Sequence, residues 1–343
     1  MPLRFGEPAP WFTAPTASNP EFVFDSAAGR YVLLLFAPKD QGRTIAALKA
    51  LAARQSLFDD ARVSAFVVMA DASMISGQRD LRGLRWFPDT DGIIAQRFQA
   101  ETPHWLLLDP SLRVMAVEPL ERADEMLDQV AALGPPGAYA SVPLNAPVLI
   151  APRIFEPDLC RKLTGLHEDN GGRFTGVMRD QGDHTVYVMD QLKRRRDVIV
   201  TEADLVQAIR ERLERRLFPL IQRAFAFAPT RIERYLVSCY DEQDGGVFHP
   251  HRDNTTQATA HRAFACSINL NDDFEGGDLR FAEFGPATYR PPVGGAVVFS
   301  CSLMHEAMRI TRGRRYAFLP FLYDEAGAQV LAAYEARTAP AAL

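Results

Sequence analysis

Of the seven histidines in this 343-residue chain, two stand where they could share a metal with a carboxylate. The stretch GGVFHPHRDN carries His251-x-Asp253. In an extended strand, residues two apart point to the same face with Cα atoms roughly 6–7 Å apart, so both side chains can grip one ion from a single strand. A third ligand has to come from elsewhere. His305 supplies it, 52 residues after Asp253 and at the end of the apolar strand AVVFSCSLMH. Two imidazoles and one carboxylate leave positions open on an octahedral metal, an arrangement suited to non-haem Fe(II) and oxygen chemistry. The same donors would serve Zn(II) in a hydrolase, which also keeps a position open.

The elements around these residues are short strands with Gly/Asp-rich turns: RIERYLVSCY, GGVFHPHRD, FACSINLN, GDLRFAEF, ATYRPP, GAVVFSCS and RRYAFLPFLY. From Arg231 onward this pattern predicts a double-sheet jelly roll with helices packed on one side. Those helices are a short one at PDLCRKLTGL and a long one opening at Thr201, where TEAD offers an N-cap hydroxyl with an acid three positions on. Leu205, Ile209, Leu213 and Leu217 recur every four residues to form its core face, and Pro219 breaks or restarts it. Upstream, the runs YVLLLFA, VSAFVVMA, HWLLLD and RVMAVE alternate with helical patterns, which predicts a buried, largely parallel α/β sheet. Between the halves, GPPGAYASVPLNAP (134–147) brings four prolines and two glycines. The predicted organisation is a first domain over 1–133, a linker over 134–146, a second domain over 147–330 and a tail over 331–343.

The segments YDEQDGGVFHPHRDN, SINLNDDFEGGDLRFAEFG and HEAMRITRGRRYAF resemble, in order and spacing, the prolyl-4-hydroxylase-like branch of the Fe(II)/2-oxoglutarate dioxygenases. The resemblance implies a double-stranded β-helix in which His251, Asp253 and His305 hold Fe(II). Arg315, ten residues after His305, would pair with the distal carboxylate of 2-oxoglutarate, a role that suits a fork of donors whose charge is permanent. Strand alternation sends the adjacent Arg314 to the opposite face. Tyr240 takes the position of a tyrosine that hydrogen-bonds the cosubstrate, and Asn269 falls where some relatives carry a second tyrosine, so a different polar contact is expected there. His249 shares the face of His251 and is read as a pocket-rim residue; His261 is read as structural or functional without preference. The resemblance further implies O2 as oxidant, ascorbate as a candidate reductant of the iron, and cosubstrate decarboxylation to succinate coupled to hydrogen removal from a substrate C–H bond. The retained Asp253 favours hydroxylation over halogenation. The primary substrate would be a protein or peptide side chain or a small molecule. Against a zinc hydrolase stands Arg315, which a hydrolase does not need, and against a decayed, non-catalytic interaction protein stands the intact set of four residues.

The first domain resembles the peroxiredoxins of the thioredoxin fold, through GEPAPWF, GRYVLLLFAPKD, FPDTDGIIAQRFQA and TPHWLLLDPSLRVMA. That family places its nucleophilic cysteine in the loop after FAPKD, where this chain reads QGRTIAALKAL; the first of its four cysteines is Cys160. Thiol peroxidase chemistry is therefore excluded from this domain. The resemblance implies a cis peptide before Pro103 and leaves a docking or a purely structural role.

Other features narrow the class. A net charge of -5 and a pI near 5.9 give no basic footprint, so nucleic acid is not an expected partner. No apolar run is long enough to span a bilayer and the start MPLRFGEPAPWF is unlike a signal peptide, so a cytoplasmic protein without membrane partners is expected. Cys160, Cys239, Cys266 and Cys301 are read as reduced, buried thiols. KRRRD (193–197) could meet an acidic substrate but is read as a solvated charge run. The glycine pairs at Gly245 and Gly276 read as turns, and neither a G-x-S-x-G elbow nor a Walker sequence occurs. Oligomeric state is open.

Overall fold

The computed structural model describes residues 3–75 and 78–338. The chain divides into two compact units, Met1–Ala146 with Ala282–Pro286, and Pro147–Phe281 with Ala287–Leu343.

The first unit is built on five strands, β1 (Tyr31–Ala37), β2 (Val63–Met69), β3 (Leu84–Pro88), β4 (His104–Leu108) and β5 (Val114–Pro119), in the spatial order β3-β2-β1-β4-β5. The continuous apolar runs follow from two separate cores. Val32, Leu34 and Phe36 pack with Phe24, Phe66 and Phe87, while Leu33 and Leu35 pack with Leu51 of α1 (Gln41–Ala53) and Leu127 and Val130 of α2 (Ala123–Ala132). With both faces buried, no polar alternation survives. The sheet is nevertheless mixed, which corrects the largely parallel expectation: β1, β2 and β3 run parallel, and β4 and β5 are antiparallel to their neighbours. Residues 109–113 are too few for a crossover and close a hairpin. The edge strand β3 had no separate signal in the sequence. The Thr102–Pro103 peptide is trans, since no cis bond occurs among the described residues. Trans is the preferred state of a bond to proline unless packing selects the other, and here the His104 ring Nδ1 sits 2.7 Å from the Thr102 carbonyl.

In the second unit, helices α3 (Pro157–Asn170), α4 (Ala203–Arg212) and α5 (Phe218–Phe225) cover one face of a large antiparallel sheet. Leu205, Ile209, Leu213, Leu217 and Ile221 are all buried in that contact. The N-cap is Glu202 without a side-chain bond, not Thr201. Between α4 and α5 the chain makes a π-helical turn over Leu213–Leu217. Pro219, inside the first turn of α5, has no N–H to continue the α-helical ladder, so the register slips by one.

Twelve further strands matter for the site: β6 (Lys193–Arg194), β7 (Arg196–Ile199), β8 (Arg231–Glu233), β9 (Leu236–Asp241), β10 (Val247–His251), β11 (Phe264–Asn269), β12 (Leu279–Arg280), β13 (Thr288–Tyr289), β14 (Ala296–Ser300), β15 (His305–Ala307), β16 (Arg314–Phe318) and β17 (Phe321–Tyr323). The larger sheet runs β8-β17-β11-β16-β9-β7, with β14 also paired to β11; the smaller runs β6-β10-β15-β12-β13. This is the expected jelly roll of two antiparallel sheets. Alternation sets its inside: Val237, Cys239, Tyr316 and Phe318 join the core under the helices, whereas Ser238, Tyr240 and Arg315 lie on the other face. A closing helix, α6 (Glu325–Thr338), continues past the expected domain end at 330; residues 339–343 of the expected tail lie outside the described residues. Among the described residues no helix is long and apolar enough to cross a membrane.

Candidate active site

His251, Asp253 and His305 come together so that one ligand atom of each lies within 4.8 Å of the others. Their placement differs in detail from a single gripping strand. His251 ends β10, Asp253 follows it in a bend, and His305 opens β15 after a turn that separates it from β14. The pairing of His251 with His305 across β10 and β15 then sets the third ligand beside the first. Asp253 Oδ1 lies 3.6 Å from His251 Nε2 and Oδ2 lies 3.3 Å from His305 Nε2.

Each ring is oriented from behind. His251 Nδ1 donates to the His249 carbonyl at 2.7 Å and His305 Nδ1 to the Leu303 carbonyl at 3.0 Å, which turns both Nε2 lone pairs toward the aspartate. Aromatic rings exclude water from their flanks: Phe248 stacks on His251 at 3.5 Å and Phe299 meets His305 at 4.5 Å. Burial, with His305 beside it, lowers the pKa of His251 and keeps it a neutral donor. Burial alone would raise that of Asp253, but the two histidines hold it well below the carboxylate range. Two imidazole nitrogens and a carboxylate are a donor set that fits Fe(II). His249 is exposed and stays outside the cluster; His261 is buried against Glu233 at 2.9 Å, a structural contact.

Arg315 comes from the other sheet. It lies on β16, whose neighbours are β9 and β11, and not beside β10 or β15. It is 2% exposed, and its Nε and Nη2 donate to Asn269 Oδ1 at 3.0 Å and Ser267 Oγ at 2.8 Å. Both acceptors are neutral, and no ion pair to Arg315 occurs among the described residues. Arg314 points the opposite way and binds Asp241 at 2.7 Å. Asn269 positions Arg315 and donates its own Nδ2 to the Pro291 carbonyl at 3.0 Å. Gly277 lets the loop lie against the arginine: a Cβ there would stand 2.4 Å from Ile310 Cδ1 and 3.2 Å from Arg315 Cδ.

Tyr240 pairs with Arg315 across the ladder and accepts from Arg195 Nη1 at 3.3 Å. KRRRD is thus not the solvated run expected from its charge. Residues 193–197 run from β6 through a break at Arg195 into β7, and Lys193, Arg195 and Asp197 all turn inward, each under 9% exposed. Arg195 donates Nη2 to Asp197 Oδ2 at 3.0 Å, and its Nε lies 2.8 Å from Oδ1 in the same ion pair without a hydrogen bond. Lys193 donates to Thr175 Oγ1 at 2.6 Å and lies 3.5 Å from Asp197. Arg196, turned outward, pairs with Asp244 at 2.7 Å. Arg195 and Arg234 share one cavity with Tyr240, Ser267 and the three clustered ligands. Neither arginine was singled out from sequence. The period-two spacing of Lys193, Arg195 and Asp197 was the available signal, and Arg234 carried none.

Residues 235–323 match the model of the 2OG-Fe(II) oxygenase superfamily, and the C-terminal region carries a domain of that class. Fe(II), 2-oxoglutarate and O2 are the cofactor set this superfamily implies. Among curated proteins, the PKHD-type hydroxylases of Synechococcus sp. strains JA-2-3B'a(2-13) and JA-3-3Ab are each 28% identical over 99 residues, 27% of this chain. The match spans 43% of each relative, less than half its length. Among solved structures, a prolyl hydroxylase from Trichoplax adhaerens, in complex with a hypoxia inducible factor peptide fragment, aligns with a TM-score of 0.41 at 16% identity, covering 54% of this chain and 87% of that one. A Pseudomonas putida prolyl-4-hydroxylase aligns with a TM-score of 0.37 at 15% identity, over 52% of this chain and 93% of that one.

Proposed function

We propose that this chain is an Fe(II)- and 2-oxoglutarate-dependent dioxygenase that hydroxylates a side chain of a protein or peptide, or a small molecule. The observation that carries the reading is a His–Asp–His donor set that lines one cavity with Ser267, whose hydroxyl accepts from the buried Arg315, an arginine with only neutral hydrogen-bond partners. His251, Asp253 and His305 hold the iron. Arg315, steadied by Asn269 and Ser267, offers its remaining donors to the distal carboxylate of 2-oxoglutarate, and Tyr240 lies beside it on β9. Bound iron supplies the activation of O2 that couples decarboxylation of the cosubstrate to attack on a C–H bond. The Phe248 ring stacked on His251 and the Phe299 ring tilted against His305 give that centre apolar flanks. A zinc hydrolase would leave Arg315 a buried charge without a purpose, at a cost of several kcal/mol.

The first unit serves as a thioredoxin-like module without redox chemistry, docking a partner or stabilising the chain. Three parallel strands followed by an antiparallel pair, with no cysteine before Cys160, support that assignment. A cytoplasmic location and ascorbate as reductant accord with the reading.

The test is succinate formation by the full chain given Fe(II), 2-oxoglutarate and O2 without primary substrate. Uncoupled turnover is expected, and His305→Ala should lower it by more than ~100-fold, because even the groups that orient metal ligands are worth 10- to 100-fold. Metal-independent turnover, or full turnover by a folded His305→Ala protein, sinks the reading.

A further inference from the structure

Arg195 and Arg234 line the cavity and Arg315 stands behind its Ser267, and two of the three have their work defined. Arg195 is neutralised by Asp197, and Arg315 is assigned to the cosubstrate. Arg234 has neither a hydrogen bond nor an ion pair to any described residue, and its Nε is sealed from solvent without a partner. The nearby carboxylates are spoken for. Glu233 accepts from Arg262 Nε at 2.7 Å and from His261 at 2.9 Å, while Asp197 takes Arg195, Lys193 and the Ser238 hydroxyl. The Arg234 guanidinium lies over the Phe321 ring, 4.3 Å away, and that ring is shared with Arg262 at 4.0 Å.

Two cations on one ring repel each other, and only Arg262 has a counterion. The backbone also holds Arg234 in place at some expense, with φ at +52° in the two-residue link between β8 and β9. A side chain rarely adopts that conformation unless its surroundings impose it, and such sites concentrate where a ligand is gripped. The link lies at the Leu236 end of β9, whereas Tyr240 and Arg315 pair near the other end. Arg234 thus lines the cavity beyond one end of the β9–β16 ladder, and Arg315 lies toward the other end, bonded to Ser267 of the lining, with the His–Asp–His cluster in the same cavity wall.

We infer that Arg234 is a specificity residue that receives an oxyanion, a carboxylate or a phosphate, carried by the primary substrate, so that the enzyme selects acidic substrates. An arginine fork makes two parallel charge-assisted bonds to either group, and the other arginine of the cavity lining, Arg195, is already paired with Asp197. The inference rests on the oxygenase reading for what the neighbouring site does.

The test uses the full chain loaded with Mn(II), a redox-silent stand-in for Fe(II), and with 2-oxoglutarate. Inorganic phosphate and acetate are titrated separately by calorimetry, and the phosphate 31P line width is followed for broadening by Mn(II). The expected result is saturable binding of at least one anion, with phosphate broadened if it is bound. Arg234→Gln should weaken that binding at least tenfold, Arg234→Lys should recover most of it, and the outward-facing Arg314→Gln should not change it. Phosphate held by Arg234 marks a phosphorylated substrate and acetate a carboxylate one. If the wild type binds neither anion, or Arg234→Gln binds as the wild type does, the inference is overturned. Should Arg234→Gln fail to fold, wild-type phosphate or acetate binding that Arg234→Lys does not retain overturns it equally. Failure of the oxygenase reading is scored separately, as loss of Mn(II) and 2-oxoglutarate binding in the wild type, because the Arg234 comparison does not need the metal.

Discussion

Arg315→Ala is expected to raise the 2-oxoglutarate concentration needed for half-maximal succinate formation by ~30- to 150-fold, the equivalent of about 2–3 kcal/mol for a lost charge-assisted contact. Arg314→Ala, which removes only the outward pair with Asp241, should leave that requirement unchanged. A sensitive Arg314 would exchange the two roles. Lys193 provides a second residue-level test. Burial, with Arg195 beside it, brings its pKa from 10.5 down to about 7. A lysine depressed in this way binds its proton less readily in the folded than in the unfolded chain. The penalty is complete below pH 7 and fades as the pH rises from about 7 toward 10.5, so this group makes the fold more stable with rising pH in that window. Relative to Lys193→Met, the wild-type urea midpoint should therefore climb between pH 7 and pH 10, and parallel profiles would refute a buried, depressed lysine.

At the scale of elements, Gly277 governs how closely a loop approaches Arg315. Its φ of +70° and the 2.4 Å separation of a hypothetical Cβ from Ile310 Cδ1 mean that Gly277→Ala must move the loop or Arg315. The expected outcome is a loss of roughly 1–3 kcal/mol in urea unfolding together with a raised 2-oxoglutarate requirement. A variant with wild-type values for both would show that the loop yields freely. What was legible in the sequence follows the same geometry. His251, Asp253 and His305 could be found because ligand chemistry restricts residue type, and Arg315 was separable from Arg314 because strands alternate. The sheet that carries Arg315 was not legible, since pairing partners are set by packing over long sequence distances. Residues 193–197 misled because five charged positions look alike whether a strand hides every second one or water covers them all. Arg234 had no signal, as its importance lies in a carboxylate it lacks.

For the whole molecule, the full chain is expected to consume no alkyl hydroperoxide above a protein-free control. Its cysteines are all buried, and burial pushes the thiols up, Cys160 to about 11 and Cys239 to about 12, so no thiolate is available at neutral pH. Peroxide consumption abolished by a cysteine substitution would reopen the redox reading. The division of labour between the two sheets has its own consequence. The smaller sheet carries His251 and His305, the larger carries Arg315, and a bound cosubstrate that engages both ends acts as a removable rivet through the sandwich. At a hundredfold excess over its dissociation constant such a rivet adds about 2.7 kcal/mol to the resistance against unfolding. Supply of 2-oxoglutarate would then set not only the turnover of the enzyme but also how long each copy survives proteases.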